Sequence, residues 1–387
     1  MRTCAFLSTY PPQECGIATF TYDLVNAIDM YFPYFKTQVI VMEEKDKEYD
    51  FDEKVIYKIK DWEPKTYIEV AKHVNRSDIE IINIQHEFGI FGGKDGEYLE
   101  FFLDNVEKPI VTTLHTVLPQ PDEGKRKMIQ KIAQRSEKLI VLSNTAVQIL
   151  NSAYNIPKEK ITVIHHGVPI YNSLSKEEAK SKLGLSDKIV LSTFGLINPG
   201  KGIEYALSGI ALAVEKYPNI VYLILGETHP KVKKLYGENY REKLIEMVKK
   251  LNIENNVIFV NKYLTKEELL EYLIATDIYI TPYLNRDQIC SGTLAYAIGF
   301  GKAIISTPYL YAEEMLSDRR GLLVEFRNSK AIFEAIDKIL KDPEFMKSLE
   351  EKALKFGKQM RWPYIAFKYV ELFKTLVNSG NTVKILS

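Results

Sequence analysis

The strongest constraint on the fold is an alternation. Apolar runs of five to seven residues are separated by longer amphipathic stretches from one end of the chain to the other. This is the pattern of βαβ units and parallel sheets. In the first half the strands read as TCAFLS, TQVIVM, EIINIQ, PIVTTL, KLIVLS and ITVIHH. In the second half they read as KIVLSTF, NIVYLIL, NVIFV, DIYIT, AIIST and GLLVEF. Two sheets of about six strands each follow, so the fold class is α/β with doubly wound parallel sheets. Helices are expected over Phe20–Ile28, Gly202–Glu215, Lys266–Ala275 and Trp362–Val377. Thr265 and Glu268 have the spacing of a capping box, and Leu269, Leu270, Leu273 and Ile274 give the helix behind them an apolar face.

At 387 residues, 46% hydrophobic and 26% charged, the chain can build two or three packed domains, which excludes a disordered or fibrous polymer. The polar passage VPIYNSLSKEEAKSKLGLSD places a boundary near residues 168–184. The expected domains are 1–172 and 173–356, with a helix over 357–387 packing back toward the first. Lys+Arg and Asp+Glu both number 51, which leaves no bulk charge for nucleic acid. Cys4, Cys15 and Cys290 are odd in number and lack metal-ligand spacing, as expected of a reducing, cytoplasmic protein. No apolar run reaches membrane-span length, and the opening MRTCAFLSTYPP is too short for a signal h-region.

Ligands of open parallel sheets bind beyond the carboxyl ends of the strands, where amides and helix N-termini converge. Three segments lie there. In STYPPQECGIAT, Gly16 lets the backbone approach an anion or simply makes a turn. In FGLINPGKGIEY, Lys201 stands at a helix start, where a cation is repelled by the helix dipole unless an anion sits between them; a solvated lysine is the alternative. In RDQICSGTLAYAIGFGKAIIST, Ser291, Gly292 and Thr293 open a helix, as exposed anion-binding amides or as an ordinary N-cap. His86, His115, His165, His166 and His229 also fall at strand ends, as structural residues or as substrate contacts. No HExxH or CxxC pattern marks a metal. Asp50 and Asp52 imitate a metal clamp, but they sit in the charged run EEKDKEYDFDEK, which reads as a solvated loop. The run Lys231–Lys250 interleaves acids and reads as an exposed helical face.

Taken in order, STYPPQECGIATF, HEFGIFGGKDGEY, TLHTVLP, HHGV, FGLINPGKGIEY, TDIYITPY and QICSGTLAYAIGFGKAIISTPY resemble the retaining glycosyltransferases of family 4, also called group 1, over nearly the whole chain. The resemblance implies a GT-B architecture of two Rossmann-like domains. It also implies a nucleotide-sugar donor on the second domain, a carbohydrate acceptor facing the first, and no required metal or other cofactor. A mannosyl donor such as GDP-mannose follows from resemblance alone. By position, Lys201 would contact the donor phosphates and His115 would lie against the transferred sugar. Gly16, Ser291, Gly292, Thr293 and Tyr296 would hold the nucleotide, with His86, Glu87, His166 and Glu227 on the substrate or acceptor. The chain departs from the family pattern at Leu196, where the family has Arg, and at Gln288 and Tyr296, where it has two glutamates. The Gln288 amide retains the capacity to hydrogen-bond the sugar. Two other readings stand beside this one: a retaining glycoside phosphorylase using inorganic phosphate, and a non-catalytic sugar- or nucleotide-binding protein.

Overall fold

A computed structural model describes residues 2–385, with side chains through residue 378. The chain divides into two compact units, one built from residues up to Gly167 together with those from Arg361 onward, the other from Val168–Met360.

The first unit holds β1 (Arg2–Ser8), β2 (Phe35–Glu43), β3 (Val55–Lys60), β4 (Ile81–His86), β5 (Ile110–Leu114), β6 (Lys138–Val141) and β7 (Ile161–Val163). They form one seven-stranded sheet in the order β3-β2-β1-β4-β5-β6-β7, with every pairing parallel. The second unit holds β8 (Ile189–Phe194), β9 (Ile220–Leu225), β10 (Val257–Val260), β11 (Ile278–Thr281), β12 (Ala303–Ser306) and β13 (Leu322–Leu323). Their order is β10-β9-β8-β11-β12-β13, again all parallel. In each unit the strand order reverses beside the first strand, between β1 and β4 and between β8 and β11. Connections on the two sides of that point run in opposite directions, which opens a crevice at the carboxyl ends of those strands.

Twelve strands lie where the apolar runs predict them. The thirteenth, β3, was not expected, because VIYKIK alternates polar and apolar residues and follows a highly charged run. It is an edge strand with one fully buried residue, Ile59. The stretch expected as ITVIHH ends as a strand at Val163, leaving His165 and His166 in the segment beyond it. The Lys231–Lys250 run forms two helices, Pro230–Tyr236 and Asn239–Lys250, broken at Gly237 with φ 60°. The capping box at Thr265 and Glu268 is made.

Both faces of the second sheet are covered. Leu191, Ile224, Ile280 and Ile305 belong to one apolar cluster, while their chain neighbours Val190, Leu223, Tyr279 and Ile304 belong to another. Period-two alternation sends these neighbours to opposite faces, which is why the runs are apolar throughout. In the first unit the helix Trp362–Ile385 turns Ile365, Ala366, Tyr369, Val370 and Phe373 inward at helical spacing. The Phe373 ring lies 6.2 Å from Phe6 of β1, and Tyr369 Oη is 3.1 Å from Thr113 Oγ1 of β5. Among the described residues no helix is long and apolar enough to cross a membrane.

Gly195 and Gly226, directly after β8 and β9, have φ values of 121° and 126°. A Cβ on Gly226 would stand 2.3 Å from the Gly195 carbonyl oxygen. Gly226→Ala therefore combines a left-handed backbone with a clash against main chain, and it should destabilise the second unit by about 2 kcal/mol or more, measured by denaturant unfolding.

Candidate active site

At the carboxyl edge of the first sheet, the loop after β1 ends at Cys15, whose thiol accepts the Ala18 N–H at 3.3 Å and caps the helix Gly16–Tyr31. Gly16 is the first helical residue, and a Cβ there would meet no atom within 4 Å. One turn on, Phe20 is buried with its ring edge-on to three others: His115 at 4.9 Å, His166 at 5.0 Å and Trp362 at 5.3 Å. The side chains of His115 and His166 are thus gathered around a residue of the same helix that Gly16 opens.

The tautomer of His115 follows from a chain of bonds anchored on main chain. Asn83 Nδ2 donates to the Val111 carbonyl at 3.0 Å, so its Oδ1 accepts from the Gln85 amide. Gln85 Oε1 is then an acceptor 2.7 Å from His115 Nε2, which must carry the proton. The neutral ring presents Nδ1 as an acceptor. His166 donates Nδ1–H to the Gly167 carbonyl at 2.7 Å. Burial lowers the pKa of both rings, His115 to about 3 and His166 to about 4. His86 is placed differently. It is fully buried between Phe91, stacked at 5.8 Å, and Phe88, edge-on at 5.0 Å, and neither ring nitrogen has a partner. Its contribution to the edge is its carbonyl, which accepts the His115 N–H at 3.0 Å. Glu87 accepts the Phe88 N–H at 3.0 Å and the Thr116 hydroxyl.

At the carboxyl edge of the second sheet, β8 ends in the turn Gly195–Gly202. Asn198 caps its short 3-10 segment by accepting Gly200 N–H at 2.9 Å. Lys201 leaves this turn toward β11. Its Nζ donates to Tyr283 Oη at 2.7 Å and stands 4.0 Å from the ring centroid. An ammonium only donates, so the Tyr283 hydroxyl proton is free to point at Thr293 Oγ1, 2.8 Å away. Thr293 is 3.1 Å from Ser291 Oγ, which accepts the Leu294 N–H at 3.3 Å and caps the helix Gly292–Gly299. Gly195, at φ 121°, holds a backbone conformation that L side chains rarely adopt, and a Cβ there would lie 3.5 Å from Lys201 Nζ and 3.3 Å from Thr293 Cγ2, so the strand end packs directly against both side chains. Lys201, Ser291, Gly292 and Thr293 are therefore brought together on one cationic, hydroxyl-rich rim.

Three other candidates sit apart from that relay. Gln288 turns its amide onto the Cys290 carbonyl at 2.9 Å. Tyr296 is 6% exposed, packed in the apolar cluster with its ring 6.3 Å from Phe194. Glu227 lies after β9, where its carbonyl accepts the Ile197 N–H at 2.8 Å. His229, two residues on, has a lowered pKa from burial and from the charges of Lys231 and Lys201.

Residues 175–356 match the family described as glycosyl transferases group 1, and residues 16–171 match glycosyltransferase family 4. The chain belongs to the group 1 glycosyltransferases of family 4. An uncharacterised glycosyltransferase of Methanocaldococcus jannaschii is 27% identical over 258 residues, covering 65% of this chain and 62% of the relative. The D-inositol 3-phosphate glycosyltransferase of Corynebacterium urealyticum is 26% identical over 262 residues, covering 66% of this chain and 60% of the relative. The chain thus spans under two thirds of the length of these curated relatives. Among solved structures, Anabaena HepE in complex with UDP aligns with a TM-score of 0.75 at 14% identity, covering 97% of this chain and 100% of HepE. Sucrose-phosphate synthase of Thermosynechococcus elongatus aligns with a TM-score of 0.76 at 17% identity, covering 98% and 100%. These likenesses carry the fold: this glycosyltransferase has the GT-B architecture.

Sequence patterns alone did not single out Tyr283, Gln85 or Phe20 of this glycosyltransferase. Tyr283 lies within the TDIYITPY motif, and its placement two residues past β11, opposite the turn after β8, is the signal that finds it. Gln85 immediately precedes His86 and reaches the next strand's histidine. Phe20 looks like any apolar helix residue.

The three buried histidines make the first unit acid-sensitive. His86, like His115, has its pKa lowered from 6.5 to about 3 by burial. The unfolded chain binds these protons first, so stability is present above pH 6.5 and is lost as pH falls toward the folded values, by about 1.4 kcal/mol per pH unit for each ring. His86→Leu removes one unpartnered imidazole, and its unfolding free energy should fall less steeply than wild type between about pH 6 and 4. Equal slopes in denaturant titrations would show that His86 is not a neutral buried group.

Proposed function

We propose that this glycosyltransferase is a retaining, metal-independent hexosyltransferase that takes its sugar from a nucleoside-diphosphate donor at the carboxyl edge of the second sheet. The acceptor is a carbohydrate hydroxyl served by the edge of the first. The observation that carries this reading is the rim of Lys201, Tyr283, Thr293 and Ser291 beside the start of the helix Gly292–Gly299. Lys201 spends one N–H on Tyr283 and keeps two for a leaving group. A departing diphosphate gains negative charge as the glycosidic bond breaks. A fixed ammonium with amides at a helix start stabilises that charge more than it stabilises the ground state. A neutral sugar alone would leave Lys201 uncompensated, which weighs against a purely sugar-binding role.

On the first sheet, neutral His115 offers Nδ1 to a sugar hydroxyl without adding charge near a developing oxocarbenium ion, and His166 packs against the same Phe20 ring. We assign no side chain as nucleophile. The acceptor hydroxyl attacks on the face the diphosphate leaves, and the leaving phosphate takes its proton. HepE has been solved with UDP and with UDP-glucose, which supports including uridine donors beside the guanosine donor suggested by the sequence.

Lys201→Ala should lower turnover on the order of 100-fold with the fold intact. Excess chelator should leave wild-type turnover unchanged. A second reading, phosphorolysis, is favoured by Leu196, Gln288 and the buried Tyr296, which leave no Arg or carboxylate at three donor-side positions. Thermal shifts separate the two. A ligand at 100 times its Kd stabilises the folded state by about 2.7 kcal/mol, so UDP, GDP, ADP and inorganic phosphate can be ranked directly. At least one nucleoside diphosphate should raise Tm more than phosphate does. Stabilisation by phosphate alone, with release of a sugar 1-phosphate from an oligosaccharide, would replace the transferase reading by the phosphorylase one.

A further inference from the structure

The charged run EEKDKEYDFDEK, which reads as a solvated loop, has a definite place in the first unit. With the ends of β2 and β3 it lines an open depression of about 690 Å³. Trp62, two residues past β3, is 39% exposed there on a residue type that is normally mostly buried; the Lys60 ammonium, itself paired with Glu63 at 3.3 Å, lies 5.9 Å from its ring centroid and leaves the rest of the indole open. Tyr49 is the second aromatic of the lining, and its ring packs on Phe51 at 5.5 Å.

The depression adjoins both loops of the strand-order reversal. Gln13, from the loop leading to Gly16, donates Nε2–H to the Met42 carbonyl at 2.8 Å, one residue before the lining residue Glu43. Gly92, from the loop after His86 and Glu87, lies so close to the residue before Trp62 that a Cβ would be 1.5 Å from the Asp61 carbonyl oxygen. A chain of sugars with one end at those loops would reach Trp62 along the same edge of the sheet.

The charges select the kind of sugar. Residues 43–62 carry eight carboxylates against five lysines. The two lysines of the lining are already paired, Lys58 with Glu43 at 3.2 Å and Lys47 with Glu44 at 2.8 Å. The surface therefore has carboxylate acceptors for hydroxyl groups and an aromatic face for the carbon-bound hydrogens of a pyranose. It has no cation set aside for a phosphate, a sulfate or an anionic lipid.

We propose that this depression is a distal acceptor subsite that holds an uncharged sugar residue of an oligosaccharide against Trp62. The inference rests on the transferase reading of the first sheet's edge and adds to it the acceptor's class: an uncharged oligosaccharide, bound several residues from its reacting end.

The chain has two tryptophans, Trp62 and the 5%-exposed Trp362, so the part of the emission lost in Trp62→Phe is the part that reports on Trp62. Wild-type protein is titrated with maltohexaose, α-1,6-mannohexaose and sulfated maltohexaose. At least one neutral hexasaccharide should shift or quench the emission, and that change should vanish in Trp62→Phe, where Trp362 alone emits. By calorimetry, Trp62→Ala should weaken that hexasaccharide about tenfold while Tm and the nucleotide-induced Tm shift stay as in wild type. Trp62→Phe, which keeps an aromatic face, should bind nearly as well as wild type. The proposal falls if neither neutral hexasaccharide changes the emission, if the sulfated one binds as tightly, or if Trp62→Ala binds as wild type does. Failure of nucleoside diphosphates to bind would remove the donor reading and leave the hexasaccharide titration to decide the subsite on its own.

Discussion

Every pairing in both sheets is parallel, and the rest of the molecule depends on that. Parallel strands cannot be joined by tight turns, so each connection must cross back over a face of the sheet. The carboxyl ends of all strands therefore lie at one edge, and the loops that follow them are free of the crossover's packing demands. In this protein the residues with chemistry to offer accumulate on that edge: Gly16 and Lys201 after the first strand of each sheet, His115 and Tyr283 after later ones. The reversals of strand order at β1/β4 and β8/β11 leave room there for a ligand, and the same sheet topology in both units produces two such edges in one chain.

Legibility in the sequence followed burial. The two sheets were readable because most strands are covered on both faces, which makes them continuous apolar runs, as in IVLSTF and IVYLIL. The exception is β3. An edge strand with exposed Lys58 and Lys60 carries little apolar signal, and a preceding run of charges hides the little it has. Helix ends were less legible than helix existence. The first helix begins at Gly16 rather than Phe20 because its cap is a thiol, Cys15, whose N-capping use composition does not announce.

The site was legible in its strand-end positions and illegible in its contacts. Lys201, Ser291 and Thr293 stood out as residues at loop–helix junctions, yet what joins them is the hydroxyl of Tyr283, which lies just past β11 and far along the chain from Lys201. His86 shows the opposite case. Strand-end position marks it as a substrate contact, and its ring is instead enclosed by Phe88 and Phe91, which follow it within five residues. A one-dimensional pattern places a residue at the edge; it does not say whether the next loop closes over it.

The two edges differ in electrostatics as well as in sequence. On the first, burial keeps His115 and His166 neutral around Phe20, and their polarity is directional: one nitrogen of His115 is committed to Gln85 and the other is available as an acceptor. On the second, Lys201 remains partly exposed and sets its ammonium on the Tyr283 hydroxyl at 2.7 Å. A permanent cation fully buried beside the amides of a helix N-terminus would be costly in the empty protein. Partial exposure and a tyrosine hydroxyl reduce that cost, which is how a charge useful only when an anion is bound can be carried through folding without one.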